Sequence, residues 1–65
     1  MSMLDWDNAR ELLKEIAVRH YQAYKANDAK GMARAEEEAL IVANTYGYPI
    51  QNPNLYLAGF WPEET

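Results

Sequence analysis

Residues 46–65 of the chain read YGYPIQNPNLYLAGFWPEET and hold five of its eight aromatic residues. The five are Tyr46, Tyr48, Tyr56, Phe60 and Trp61. The residues before this tail predict only a short helical hairpin. Because a contiguous apolar surface of this size promotes aggregation when it is exposed, the tail either folds back over the hairpin or docks onto another molecule.

The chain length limits how much surface folding can bury. We expect one helical domain over residues 1–65, and a domain of this size buries only about 60% of its unfolded surface. The sequence has no cysteine for a disulfide, and one histidine without a thiolate cannot fill a zinc site. We therefore expect a homo-oligomer that holds no metal and no cofactor.

The charge balance argues against several classes of partner. Ten acidic residues outnumber six Lys and Arg, so clustered cations for a nucleic-acid backbone are missing. The carboxylates are too sparse for a DNA mimic, and no apolar run approaches the ~18 residues of a membrane span. We expect a complete cytoplasmic protein of a bacterial host that binds neither nucleic acid nor membrane. Free-standing chains of this size are common in phage and plasmid genomes, and of these we expect a phage-encoded, viral protein.

Helix one is predicted from about residue 5 to about residue 26, with Asp5 or Asp7 as its cap. Its apolar face at helical spacing comprises Trp6, Ala9, Leu12, Leu13, Ile16, Ala17, His20, Ala23 and Tyr24. Ion pairs are expected at helix spacing between Glu11 and Lys14 and between Glu15 and Arg19. The polar face carries one apolar exception, Val18.

Helix two is predicted over about residues 28–46, with Asp28 as its cap and Gly47 as its αL stop. One stripe carries three alanines, which would allow the two helices to approach closely in an antiparallel hairpin. The polar side of this helix again carries an apolar exception, Ile41. A hairpin with apolar residues on both sides supports the oligomer.

The tail, residues 47–65, predicts one more element. Asn52 can cap a short third helix with Pro53 at its first position, running through Leu57 or Ala58. An extended LYL segment is the competing interpretation. The expected fold is therefore all-α, an antiparallel hairpin with an aromatic tail, assembled as an oligomer.

Few residues could carry catalysis. The only serine is Ser2, near the terminus, and no cysteine nucleophile exists, so no catalytic residue is assigned and we expect no enzyme. His20 lies on the apolar face, where a buried histidine bonded to a carboxylate or a tyrosine is favoured over a general base or pH switch. Glu36, at the edge of the second apolar stripe, needs a partner if it is buried, and the candidates are Lys30, Arg34, His20 and a tyrosine hydroxyl.

The aromatic residues either fill the core or form a binding surface, and the core is favoured. If the tail is a binding surface, its anchors are Leu55, Tyr56, Phe60, Trp61 and Tyr48. Aromatic side chains are frequent hot spots of protein interfaces. They also stack on flat ligands through their ring faces.

Within helix two, residues 37–44 read EEALIVAN. This string resembles the EEA-x-x-x-AN stretch of the hairpin domain of phage anti-defence sponge proteins. The resemblance implies an oligomer that sequesters cyclic nucleotides or similar immune signals at subunit interfaces without cleaving them. No ligand-contacting residue is carried over from that family.

Two functions follow as hypotheses. The first is a protein-interaction module or inhibitor that uses the tail anchors. The alternative is an oligomeric sponge for a cyclic nucleotide or a similar small immune signal, which needs a cation beside an aromatic ring in a concave site.

Overall fold

The structure, a computed structural model, describes the backbone of residues 3–61 and the side chains of residues 6–61. Every regular element in this range is a helix: α1 (Met3–Lys25), α2 (Ala29–Tyr46) and α3 (Pro53–Ala58). The predicted all-α hairpin with a short third helix is confirmed, and the extended alternative for the tail is wrong. α1 begins two residues before the expected start at residue 5, and residues 62–65 of the predicted tail lie outside the described range.

A tight turn joins α1 to α2. Asn27 takes a left-handed conformation with φ of 59°, and Asp28 caps α2 by accepting a hydrogen bond from the Gly31 amide at 3.0 Å. A Cβ on Gly31 would lie 2.5 Å from the Asp28 carboxylate and 3.1 Å from the Ala23 side chain. The glycine therefore makes room for the cap and for the close approach of the two helices.

The seam between α1 and α2 is built from small side chains. Ala35, Ala39 and Ala43 are all buried on the facing side of α2, as their spacing predicts. α1 contributes Ala9, Leu13, Ile16 and Ala17 to the buried set. With only two larger residues among these seven, the hairpin alone encloses little apolar volume, so it needs further cover.

The end of α2 is held from two directions. Gly47 takes the predicted left-handed conformation with φ of 66°, and the Tyr48 amide donates to the Ala43 carbonyl at 2.8 Å. The Trp6 indole Nε1 donates to the Tyr46 carbonyl at 3.2 Å. An otherwise free carbonyl of the last turn is thereby satisfied, and the start of α1 is tied to the end of α2.

The short helix α3 closes one face of the hairpin. The Asn52 side chain accepts from the Leu55 amide at 3.3 Å, and Pro53 occupies the first turn, as predicted. Leu57 is fully buried. It joins the core cluster formed by Leu13, Ile16, Ala17, Ala35 and Ala39, against which Val42, Tyr48, Ile50, Tyr56 and Phe60 also pack.

The surface carries the two apolar exceptions that the sequence predicts. Val18 is 53% exposed and Ile41 is 57% exposed. The predicted Glu11–Lys14 ion pair is present at 3.4 Å. Arg19 does not pair with Glu15 as predicted, because it pairs with Glu38 across the hairpin at 3.1 Å.

None of the helices in the described part of the chain is both long enough and apolar enough to cross a bilayer.

Two leucines of α3 provide a matched test of this packing. Leu57→Ala should lower the free energy of unfolding by about 2–5 kcal/mol, because it empties a fully buried site. Leu55→Ala, two residues away and 71% exposed, should change it by less than about 0.5 kcal/mol. Urea unfolding followed by circular dichroism measures both. Equal losses in the two variants would contradict the docking of α3.

Candidate functional site

The proposed tail anchors fall into two groups. Tyr48, Tyr56, Phe60 and Trp61 are all partly buried, and each contacts other residues of the same chain. Leu55 is the exception, because its side chain points to solvent. The tail therefore folds back over its own hairpin, which is one of the two outcomes that its composition allows.

One aromatic cluster lies where α1, the end of α2 and α3 meet. The ring of Trp6 meets Tyr48 edge-on at 5.3 Å, and Tyr48 meets Tyr56 at 5.9 Å. Tyr56 in turn packs edge-on against Phe60 at 5.3 Å. Edge-to-face contacts at these distances are favourable, so the cluster fixes the segment after α2 onto the hairpin.

A phenol pair inside this cluster has divergent acidities. The Tyr56 hydroxyl donates to the Tyr48 oxygen at 2.9 Å, and Arg10 also hydrogen-bonds to Tyr48. The hydrogen bond from Tyr56, followed by that from Arg10, lowers the pKa of Tyr48 below its ordinary value, against the opposing effect of burial. Burial first, and then the hydrogen bond with Tyr48, raises the pKa of Tyr56. The same contact with Tyr48 raises the pKa of Arg10.

The second aromatic cluster holds the end of the described tail against α1. Trp61 lies 4.6 Å from the ring of Tyr24, 5.4 Å from Tyr21 and 5.3 Å from His20, measured between ring centroids. Lys25 places its ammonium 5.9 Å from the centre of the Tyr21 ring. The indole therefore covers the only histidine of the chain.

His20 is the buried polar residue that the sequence predicts. Its side chain is fully buried, and Nε2 lies 3.1 Å from the Glu36 carboxylate. Because a carboxylate only accepts, Nε2 carries the proton and donates. Two buried ring nitrogens in this region, His20 Nδ1 and Trp61 Nε1, have no hydrogen-bond partner in the described part of the chain. In neutral His20 the first is an acceptor, and the indole N–H is a donor, so the two rings are chemically complementary.

The other face of the hairpin is open. A groove of about 330 Å³ runs between α1 and α2, and we call it the hairpin groove. Its lining comprises Leu12, Glu15, Ile16, Arg19, Glu38, Ile41 and Val42. No residue of α3 is among them. Neighbouring residues on a helix point about 100° apart, so α3 covers the side of α1 that carries Leu13 and leaves the side that carries Leu12.

The hairpin groove combines an apolar floor with charged rims. Leu12 is 39% exposed and Ile41 is 57% exposed, whereas Ile16 is buried and forms part of the floor. The Arg19–Glu38 ion pair crosses one end of the groove. Glu15 has no ion-pair or hydrogen-bond partner among the described residues. An apolar floor with charged rims is the usual composition of a surface that binds another protein.

A second hollow of about 400 Å³ lies nearer the turn between α1 and α2. Arg19, Arg34, Asp28 and Glu38 supply its charged groups, and Ala23, Ala26, Ala35 and Gly31 supply small apolar walls together with Gln22. No aromatic ring lines this hollow. It has two cations for an anion, but two carboxylates stand beside them.

No protein-family model, no curated protein and no solved structure matches this chain. The resemblance of residues 37–44 to the sponge proteins is therefore a prediction. Among the described side chains of residues 6–61, no group of three or more His, Asp or Glu is placed to hold a metal ion.

Sequence reasoning located the polar pair but missed other parts of the surface. The sequence placed His20 and Glu36 at apolar stripes and named each among several possible partners of the other, and the structure selects this pair. The Arg19–Glu38 pair and the Arg10–Tyr48 contact were missed, because both join residues far apart in the chain. The exposed Ile41, beside Glu38 on the polar side of α2, was the available signal for the groove.

The phenol pair generates a pH prediction. In an ultraviolet titration of the folded chain, Tyr48 should ionise below the ordinary tyrosine pKa and Tyr56 well above it. Tyr48→Phe should remove the earliest step, and Arg10→Gln should move it to higher pH. Lys14→Gln, which changes another exposed cation of α1, is the control and should move nothing. A first step at the ordinary pKa in all four proteins would contradict the pair.

The same shifts fix the sign of the stability change at alkaline pH. Since the pKa of Tyr56 is raised by folding, its contribution to stability is complete below the ordinary tyrosine pKa and is lost as the pH rises through the folded value. Folding lowers the pKa of Tyr48, so the ionisation of Tyr48 raises the free energy of unfolding as the pH rises from that lowered value to the ordinary one.

The His20–Glu36 pair is tested by neighbouring glutamates. Glu36→Ala should lower the free energy of unfolding by about 1–3 kcal/mol, because the buried Nε2–H loses its acceptor. Glu37→Ala removes the same side chain from an exposed position and should change it by less than about 0.5 kcal/mol. Thermal unfolding of both variants at neutral pH makes the comparison, and equal losses would refute the pair's role.

Proposed function

We propose that this chain is a non-enzymatic helical protein-interaction module, able to act as an inhibitor, that binds a helical segment of its partner in the hairpin groove. One observation carries the proposal. α3 covers one face of the hairpin, while Leu12 and Ile41 remain exposed beside the apolar floor on the other. Exposed aliphatic residues that converge on one groove differ from the scattered single residues of an ordinary surface.

The shape of the groove favours a helical ligand. The groove lies between two packed helices, and its apolar residues recur along α1 at positions 12 and 16 and along α2 at positions 41 and 42. A helix laid into such a groove buries residues at spacings of three and four, which is a recurring mode of peptide recognition. Arg19, Glu38 and Glu15 on the rim supply charges that can select the partner.

The placement of the polar residues supports binding over catalysis. His20 is the one histidine, and its fully buried ring is covered by Trp61, so a substrate has no access to it. Glu36 is committed to that histidine at 3.1 Å. The remaining carboxylates of the described helices do not converge on a metal site.

This proposal changes the role assigned to the tail. Four of the five predicted anchors contribute to the chain's own fold, and using them on a partner would require α3 and its flanking residues to detach. The open groove needs no such rearrangement. We therefore place the docking surface on α1 and α2, with the tail as the element that holds the two helices in position.

A small-molecule sponge is the second candidate. The hollow lined by Arg19 and Arg34 favours it, because guanidinium groups bind phosphate. However, Asp28 and Glu38 line the same hollow and would repel an anion, and no aromatic ring is present to stack on a base. The hairpin groove has neither disadvantage toward a helical partner, so the interaction module is preferred.

The test uses a library of amphipathic helical peptides displayed and selected against the wild-type protein. Selected peptides should bind Ile41→Glu at least about 30-fold more weakly, because a charge on the apolar α2 side of the groove removes a hot-spot contact. Leu55→Glu, at an exposed site outside the groove, should bind them normally. Binders that tolerate Ile41→Glu, or a monomeric protein whose free groove selects no binder, would contradict the proposed function.

A further inference from the structure

We infer that the hairpin groove is occupied by the groove of a second copy of this chain, so that two hairpins form an antiparallel four-helix bundle. This inference rests on the proposed function, because it names the partner that fits the same surface. The reasons are the charge pattern of the rims, the arrangement of the apolar residues and the area available.

Two of the three rim charges, Arg19 and Glu38, are self-complementary. At one level of the hairpin, α1 carries Arg19 and α2 carries Glu38, and the two lie 3.1 Å apart across the groove. A two-fold axis parallel to the helices sets α1 of one copy against α2 of the other at the same level. Arg19 of each copy then faces Glu38 of the other, and two ion pairs become a network of four charges.

The apolar residues obey the same symmetry. Leu12 lies on the α1 side of the groove and Ile41 on the α2 side. The two-fold axis brings Leu12 of each copy opposite Ile41 of the other, with an offset along the helix of about one turn. Each helix is then antiparallel to both of its neighbours, which is the arrangement of an up-and-down four-helix bundle.

The area of the open face lies at the lower limit for a specific dimer interface. α2 has 18 residues, which is a length of about 27 Å, and two helices packed side by side are about 20 Å wide. The projected area of the face is therefore about 540 Å² in each copy. The ridges and grooves between side chains add to this area. Two such faces reach the ~1,000 Å² at which specific interfaces begin.

The first measurement is sedimentation of the wild-type chain over a wide range of concentration. We expect a dimer that Ile41→Glu weakens at least about 30-fold, while Leu55→Glu leaves it intact. A wild-type monomer at every concentration would overturn the inference, and the peptide selection would still decide whether the groove binds helices. A dimer that Leu55→Glu breaks and Ile41→Glu does not would overturn the groove as the interface in both proposals.

A charge-exchange experiment tests the symmetry itself. Glu15→Gln is first introduced so that each rim keeps one charge, and Arg19→Glu or Glu38→Arg is then added to separate batches. A dimer of either variant alone places like charges across the interface.

In a mixed dimer, the two acidic groups of the Arg19→Glu chain face the two guanidinium groups of the Glu38→Arg chain. Native mass spectrometry of the mixture should therefore show mixed dimers well above the binomial half. Mixing relieves only the repulsion between copies, because each chain still carries like charges at positions 19 and 38.

The control exchanges charges outside the groove. Lys30→Glu and Glu37→Arg change exposed or partly exposed residues of α2 that do not line it, and their mixture should give the binomial distribution. A binomial distribution for the groove variants as well would overturn the two-fold arrangement. Circular dichroism of each batch confirms that the exchanged chains remain helical.

Discussion

The burial of Leu57 between α1 and α2 is the contact on which the rest of the structure depends. The seam of the hairpin is lined mainly by alanines, which bring the helices close together but enclose little volume. Burying one leucine side chain contributes about 1.5–3 kcal/mol, a large share of the stability of a domain this small. Leu57 also fixes α3 on one side of the hairpin only. The closed face and the open face both follow from that placement.

The aromatic residues secure the two ends of this arrangement. Trp6 reaches the last carbonyl of α2, and Tyr48 and Tyr56 hold the connection that leads to α3. At the other end Trp61 lies over His20, whose Nε2 is bonded to Glu36. A buried histidine between a carboxylate and an indole orients both α2 and the tail. These contacts give His20 a structural role.

Local signals explain why so much of this fold was predictable. Asp28, Gly47 and Asn52 each set a helix boundary through a hydrogen bond or a backbone conformation within three or four residues, so their roles can be read from sequence. The apolar stripes indicated that His20 and Glu36 need buried partners, but several partners fitted each residue, and the structure selects the pair. The side of the hairpin that α3 covers could not be predicted, because it depends on how the connection at residues 47–52 turns after Gly47. That turn decides whether Leu12 or Leu13 receives cover, and with it which surface stays free.

The open groove results from this one-sided closure. Its exposed Ile41 and its charged rim are the features from which we propose a helical partner or a second copy. The central claim is that the tail closes one face within its own chain. Isotope-filtered nuclear Overhauser spectroscopy on a mixture of labelled and unlabelled protein tests it most directly. Intrachain contacts from the Leu57 methyl groups to Leu13 and Ala39, and from the Trp61 indole to Tyr24, are the expected result. A tail with random-coil shifts, or one whose contacts arise only between chains, would contradict the account.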